Sequence, residues 1–258
     1  MCGIVGYKSK KNHKFDKKKL LASIQHRGPD SQNYIEIKKG QKSKSNIFLG
    51  SSRLSIIDDK KRSNQPFVFK NLVLSFNGEI YNFKQLKKKL SEDKGASFTT
   101  NSDTEVLIQY IYYFGLKKTL ENIEGMWAFS LYDKKTEDLI LCRDRFGEKP
   151  LLYFKDKDNF YYSSELPAFK IFLKKKFKKN ENYIQKYLFY DYRYLNKNYE
   201  TFYDNIKKVP QSTYIIIDKN LNCRIHKYFS FLEKNITSIG TKKLVNKTRN
   251  KLIELTNK

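Results

Sequence analysis

The sequence predicts an α+β fold built on antiparallel sheets. Short apolar or alternating segments recur at strand length along most of the chain, the pattern of half-buried strands. Helical patterns fall in clusters between them rather than after every strand, so a strict βαβ repeat is missing. The 258 residues, 39% hydrophobic and 15% aromatic, can fill one large core.

The elements follow in order. Residues 2–7 read Cys-Gly-Ile-Val-Gly-Tyr, a strand that starts almost at the N-terminus. Leu20, Leu21 and Ile24 mark a helix, and strand-length runs come at 34–37, 47–50 and 72–77. Phe83, Leu86 and Leu90 recur at helical spacing,. A longer helix runs from Asp103 through Val106, Leu107 and Tyr110 to Phe114, and Asn101-Ser102-Asp103 offers side-chain oxygens to cap it,. Further strands are expected at 125–133, 139–143, 160–163 and 213–218, with a last short run at 224–228. Residues 174–207 are rich in Lys, Asn and Tyr, helical around Tyr183, Tyr187 and Leu188 and then irregular. Residues 229–241 read as a linker, and a helix carrying Leu244, Val245, Leu252 and Ile253 follows. An amphipathic helix with nothing left to pack on is expected to belong to a further unit. There is no internal repeat.

Composition excludes several classes. No apolar run approaches the roughly 20 residues that span a bilayer, and no signal peptide is visible, so a membrane role is not expected. Cys2, Cys142 and Cys223 are odd in number and far apart. That speaks against a disulfide framework and a cysteine zinc site, and it fits a reducing cytoplasmic compartment. The net charge is +25, yet only eight of the 52 basic residues are arginine, and the lysines lie in scattered runs such as 8–19, 84–89 and 174–179. Solvated lysine faces explain this better than nucleic-acid binding, for which no recognition motif is present.

Cys2 is the most telling residue. Once Met1 is removed it carries a thiol and the chain's α-amine, with reference pKa values of about 8.5 and roughly 8. A nucleophile needs a base within reach, and here the base is the same residue's amine. An inert cysteine is the plain alternative, since reactivity needs a special environment. Lipid attachment would need an apolar signal before Cys2, which is missing.

Four motifs supply what a cysteine acting on an amino acid needs: His26-Arg27-Gly28-Pro29-Asp30, Ser52-Arg53-Leu54-Ser55-Ile56, Phe76-Asn77-Gly78-Glu79-Ile80-Tyr81-Asn82 and Thr100-Asn101-Ser102-Asp103-Thr104-Glu105. An arginine such as Arg53 can hold an α-carboxylate in a bidentate pair. A carboxylate can hold an α-ammonium. Asn77 and the Gly78 backbone can hold an oxyanion. Taken singly, Arg53 reads as a surface charge, Asn77-Gly78 as a hairpin turn, Asp103 as a helix cap and His26 as a loop residue.

Taken in order with Met1-Cys2-Gly3-Ile4-Val5-Gly6, these motifs resemble the class II glutamine amidotransferases, which are N-terminal-nucleophile hydrolases. Arg143-Asp144-Arg145-Phe146-Gly147-Glu148-Lys149-Pro150-Leu151 and Ser163-Ser164-Glu165 narrow the resemblance to the glutaminase half of glutamine-hydrolysing asparagine synthetase. It covers about residues 1–230.

The resemblance implies a four-layer αββα sandwich with the nucleophile on the first strand. It implies catalysis by Cys2 with its own α-amine as base, an oxyanion hole at Asn77 and Gly78, and glutamine held by Arg53, Glu79 and Asp103. His26, Arg27 and Gly28 would line the site. No metal or cofactor is implied for the glutaminase step; ATP and Mg²⁺ belong to a synthetase domain, where ammonia would convert activated aspartate to asparagine. Residues 1–228 would be the glutaminase domain, and 229–258 a linker and the first helix of a truncated synthetase domain. L-glutamine and that domain are the expected partners, and homodimerisation is left open.

Other readings are a glutaminase part serving sugar-phosphate or phosphoribosyl amination or amidating a different carboxylate, or a glutamine-binding module without turnover. Three departures from the family's pattern stand out: the Ser-Gly-Gly-x-Asp-Ser pyrophosphate loop is missing, Val209-Pro210-Gln211 lacks a glycine after the proline, and Ser51-Ser52 precede Arg53.

Overall fold

A computed structural model describes residues 2–40, 43–174, 178–190, 199–230 and 240–256. Two six-stranded antiparallel sheets form the centre. The strands of the first are β1 (Gly3–Ser9), β2 (Ser31–Ile37), β3 (Asn46–Arg53), β8 (Leu152–Lys155), β9 (Asn159–Ser163) and β10 (Lys207–Lys208), in the order β10-β8-β9-β1-β3-β2. Those of the second are β4 (Phe67–Phe69), β5 (Leu72–Ile80), β6 (Gly125–Asp133), β7 (Leu139–Arg143), β11 (Thr213–Ile217) and β12 (Cys223–Lys227), in the order β12-β11-β7-β6-β5-β4.

Strand side chains alternate between faces, so each sheet buries both. Ile4, Ile47 and Leu49 meet Val73, Ala128, Leu141 and Ile215 between the sheets. Val5, Tyr7 and Phe48 face outward, onto α1 (Lys17–Ala22) and α5 (Pro167–Leu173). Leu74, Phe76, Trp127 and Phe129 face the opposite way, onto α2 (Phe83–Lys94), α3 (Asp103–Phe114) and α4 (Leu116–Asn122). The result is the expected α+β sandwich of four layers, helix–sheet–sheet–helix. Ser102 is the N-cap of α3, its hydroxyl accepting from the Thr104 amide at 3.1 Å.

Three differences from the sequence expectation have physical causes. β1 runs on through Lys8 and Ser9, where the sequence suggests solvent. Lys8 is fully buried between the sheets. Its Nζ donates to Glu137 O and, at 3.1 Å, to Ile217 O. β2 begins three residues before the expected run, because Ser31–Asn33 pair with Ser51–Arg53 through the backbone ladder rather than through apolar side chains. The short elements β4, β8, β10, α4 and α5 carry too few residues to show a period.

α6 (Glu181–Tyr190) matches the helical pattern around Tyr183, and α7 (Thr241–Thr256) matches the last one. The irregular stretch expected after α6 falls largely on 191–198, and most of the expected linker on 231–239; both lie outside the described residues, as does Met1. Among the described residues no helix is long and apolar enough to cross a membrane.

Candidate active site

The start of β1, the end of β3, the end of β5 and the N-terminus of α3 converge on one cleft. Cys2, Arg53, Asn77, Gly78, Glu79 and Asp103 line it together, with Leu54, Ile56, Gln65, Thr104, Met126 and Lys149. Pairing explains the convergence. Gly3 sits opposite Ser52 in the β1–β3 ladder, which brings Cys2 beside Arg53.

Cys2 is held from behind. Its Sγ lies 3.7 Å from Leu54 O, and its carbonyl accepts from Arg27 Nε at 3.1 Å. Arg27 is fixed in turn by Glu165, Nη1 to Oε1 2.6 Å. The Ile4 amide donates to Ser164 Oγ at 3.1 Å. The Ser163-Ser164-Glu165 motif is therefore a clamp on the first strand. Burial pushes the Cys2 thiol pKa up, opposed by a backbone hydrogen bond at Leu54 and by the positive charge of Arg53.

Asn77 lies inside β5, opposite Ala128 of β6, not in a hairpin turn. Its side chain is buried, and neither Oδ1 nor Nδ2 has a hydrogen-bond partner among the described residues. A buried amide left unpaired costs about 1–3 kcal/mol, and on the cleft wall its donor and acceptor are open to a molecule that enters. Gly78 has no room for a side chain: a Cβ there would stand 2.2 Å from Met126 O.

Arg53 is buried and braced. Nη2 donates to Asp58 O and Nη1 to Asn64 Oδ1 at 3.3 Å. A guanidinium has five donors, so others remain for a carboxylate. The Asp58 carboxylate accepts from the Asn101 amide at 2.9 Å and the Lys60 amide at 3.0 Å. The Asn101 contact above all draws its pKa down to about 2, so Asp58 joins the Arg53 wall to the α3 wall as an anion.

Asp103 Oδ2 accepts from the Ile80 amide at 3.0 Å. Burial dominates its chemistry and raises its pKa to about 6, against the pull of the Ile80 contact. A cation brought alongside would restore the charged form. Glu79 stands half-buried on the same cleft.

The remaining sequence candidates lie elsewhere. His26, Arg27 and Gly28 do not line the cleft. His26 is exposed, 3.7 Å from Glu165 Oε1. Arg27 acts on the cleft only through the Cys2 carbonyl. Gly28 passes so close to β3 that a Cβ would meet Ser52 O at 2.4 Å. Sequence reasoning missed Gln65 and Lys149 as wall residues. Gln65 accepts from the Phe76 amide at 2.6 Å and donates to Thr104 Oγ1 at 3.3 Å, contacts that local pattern cannot reveal.

Lys149 ends a turn tied by its own motif. The Asp144 carboxylate accepts from the amides of Phe146, Gly147, Glu148 and Lys149 at 2.6–3.0 Å. Arg143 donates to Lys149 O at 2.7 Å and Val209 O at 2.9 Å. The turn without the family's glycine is closed by Ser212, whose φ is +59° and whose amide donates to Asp144 O at 2.8 Å. Ahead of Arg53, Ser52 Oγ accepts from Gln32 at 3.0 Å. Among the described residues no cluster of three or more His, Cys, Asp or Glu could hold a metal.

A cysteine at the head of a strand in an α+β double-sheet sandwich, facing a braced arginine and a buried carboxylate, defines the class, and the chain belongs to the glutamine amidotransferase domain family, which matches residues 1–229. Within it the chain is similar to glutamine-hydrolysing asparagine synthetases. Asparagine synthetase [glutamine-hydrolyzing] 1 of Bacillus subtilis is 36% identical over 173 residues, 64% of this chain and 26% of that protein. Asparagine synthetase [glutamine-hydrolyzing] 3 of the same organism is 30% identical over 175 residues, 65% of this chain and 27% of that protein. The chain thus spans about a quarter of the length of these relatives.

Among solved structures, the glutamine phosphoribosylpyrophosphate amidotransferase from B. subtilis, complexed with ADP and GMP, superposes with a TM-score of 0.62 at 22% identity, over 88% of this chain and 49% of that one. A structure of the allosteric regulatory enzyme of purine biosynthesis gives 0.63 at 21% identity, over 90% and 50%. At those identities the likeness is one of fold.

Proposed function

We propose that this domain hydrolyses L-glutamine to glutamate and ammonia at Cys2, and that the ammonia feeds an ATP-dependent synthetase domain that makes asparagine from aspartate. Removal of Met1 frees the Cys2 amine. That amine takes the thiol proton as Sγ bonds to the side-chain amide carbon of glutamine. The resulting oxyanion is held by Asn77 Nδ2 and the Gly78 amide. The C–N bond then breaks, the amine's proton goes to the departing ammonia, and a γ-glutamyl thioester remains. Water adds to the thioester, Sγ leaves and is reprotonated, and glutamate departs. Arg53 holds the α-carboxylate throughout; Asp103 and Glu79 hold the α-ammonium.

The observation that carries this reading is the unpaired, buried Asn77 amide on the same cleft as the Cys2 thiol. Residues 1–228 are the glutaminase unit in this reading, and α7 is the first helix of the synthetase part, with 229–240 leading to it. The synthetase part would hold ATP and Mg²⁺, and the protein works in the cytoplasm.

The test is glutamate release by the chain and by Cys2→Ala, with the N-terminus read by mass spectrometry. Cys2→Ala should release none, and active protein should lack Met1. Turnover by Cys2→Ala, or activity with Met1 retained, would remove the mechanism. Glutamine binding without turnover would leave a binding module instead.

A further inference from the structure

A hydrogen-bonded cluster outside the cleft lining joins the turn that ends at Lys149 to the start of β6. Its hub is Arg145. The Arg145 carbonyl accepts from Ser212 Oγ at 2.8 Å, and its Nη2 donates to Ile123 O at 3.1 Å. Its guanidinium carbon stands 5.0 Å from the centroid of the Phe229 ring, within cation–π range. Arg145 Nε is buried and has no acceptor among the described residues. Among the described residues the guanidinium thus has one hydrogen bond and one aromatic face.

The hub connects through the backbone to both walls of the cleft. On one side Arg145 belongs to the Asp144-held turn that ends at Lys149. On the other, Ile123 leads into β6, where Met126 pairs with Glu79 and Gly125 with Ile80. The two backbones are in contact there: a Cβ on Gly125, whose φ is +143°, would meet Glu79 O at 2.1 Å. A shift at Ile123 is thus passed to the Glu79–Met126 wall. The outer end of the hub is residues 228–229, just after β12. Tyr228 Oη donates to Arg143 O at 2.8 Å and Tyr228 N to Ser212 O at 2.9 Å.

We propose that Arg145 is a positioning residue through which Phe229 sets the spacing between the Lys149 wall and the Glu79–Met126 wall of the cleft. The proposal rests on glutamine being the cleft's ligand. Whatever displaces residues 228–229 then changes affinity for glutamine without touching Cys2. A mere strut would behave differently: its loss would lower stability and leave affinity alone.

The experiment compares the parent with Phe229→Leu, Arg145→Ala, Arg145→Lys and the Phe229→Leu/Arg145→Ala double variant. Phe229→Leu keeps an apolar side chain at a half-buried position, so folding is preserved. Glutamate release gives KM and kcat, and calorimetry in a Cys2→Ala background gives Kd for glutamine. Iodoacetamide reports on the Cys2 thiol independently of glutamine. Phe229→Leu and Arg145→Ala should each raise KM and Kd about fivefold, equivalent to ~1 kcal/mol, with kcat and the iodoacetamide rate unchanged. Arg145→Lys, which keeps the cation, should recover part of the loss. The double variant should be no worse than Arg145→Ala, because Arg145→Ala already removes the contact that Phe229 acts through.

An unchanged KM and Kd in Phe229→Leu, with or without a lower melting temperature, overturns the proposal, as does additivity in the double variant. A parent chain that neither binds nor hydrolyses glutamine overturns the glutamine reading and this proposal with it, so the two failures are distinguishable.

Discussion

Ile4 and Ser164 exchange two hydrogen bonds, Ile4 N to Ser164 Oγ at 3.1 Å and Ser164 N to Ile4 O at 2.9 Å. Two residues from Cys2, this pair stops the first strand from fraying. Ser164→Ala removes the acceptor and leaves the Ile4 amide buried and unpaired. The expected loss is about 1–2 kcal/mol of stability, read by denaturant unfolding, with a fall in kcat because the thiol is no longer held over the cleft. Full kcat in a destabilised Ser164→Ala would limit the clamp to stability alone.

Asn77→Ala should separate catalysis from stability. Removing one oxyanion-hole donor should lower kcat about 10²–10³-fold with little change in KM. The same substitution deletes two buried polar atoms that lack partners, so the melting temperature should hold. A kcat within about tenfold of the parent would place the oxyanion elsewhere.

Asp103 gives the cleft a pH dependence with a definite sign. Its pKa of about 6 in the empty cleft lies above the reference value of 3.8. An ammonium needs the ionised form, so Kd for glutamine should rise as pH falls below 6, measured by calorimetry between pH 5 and pH 8. Stability runs the other way. A raised acid favours the folded state while protonated, and that contribution is lost as pH rises from 3.8 through 6. Asp103→Asn should therefore stabilise the empty protein by about 3 kcal/mol at pH 7.5 and only about 1 kcal/mol at pH 4.5, and abolish glutamine binding. Equal effects at both pH values would show that Asp103 is not titrating there.

Asp144 holds four consecutive amides with one carboxylate. Asp144→Ala should release the turn and cost about 3 kcal/mol, since hydrogen bonds to a charged group are the strong ones. Faster amide hydrogen exchange at Phe146 to Lys149 would report it. Unchanged exchange would mean that Arg143 alone suffices.

Much of this was legible in the residues. The apolar runs at 47–50, 72–77, 125–133 and 139–143 mark β3, β5, β6 and β7 because each must bury a face. The cleft residues were legible through ordered motifs, not local pattern. Arg53 alone reads as a surface charge, yet it is buried because Asp58 and Asn64 fold back onto it. What stayed hidden depends on distant partners. Lys8 looks like part of a solvated lysine run, but carbonyls from Glu137 and Ile217 claim it. Gln65 and Lys149 enter the cleft through contacts that no periodicity encodes. His26 and Gly28 carry motif signal for a different reason, the close approach of their turn to β3.

The interior position of Lys8 has a bearing on how the empty and occupied protein differ. Burial lowers its pKa to about 8, so folding expels a proton from it between pH 8 and 10.5, and alkalinity tightens the sandwich over that interval. Asp103 behaves as the mirror image under acid. Around neutrality, then, the ligand-free domain harbours two ionised groups that its own folding would rather discharge. A bound amino acid's ammonium can satisfy the carboxylate but never reach the lysine, so occupancy should firm the domain above pH 6 and leave the alkaline effect of Lys8 in place,.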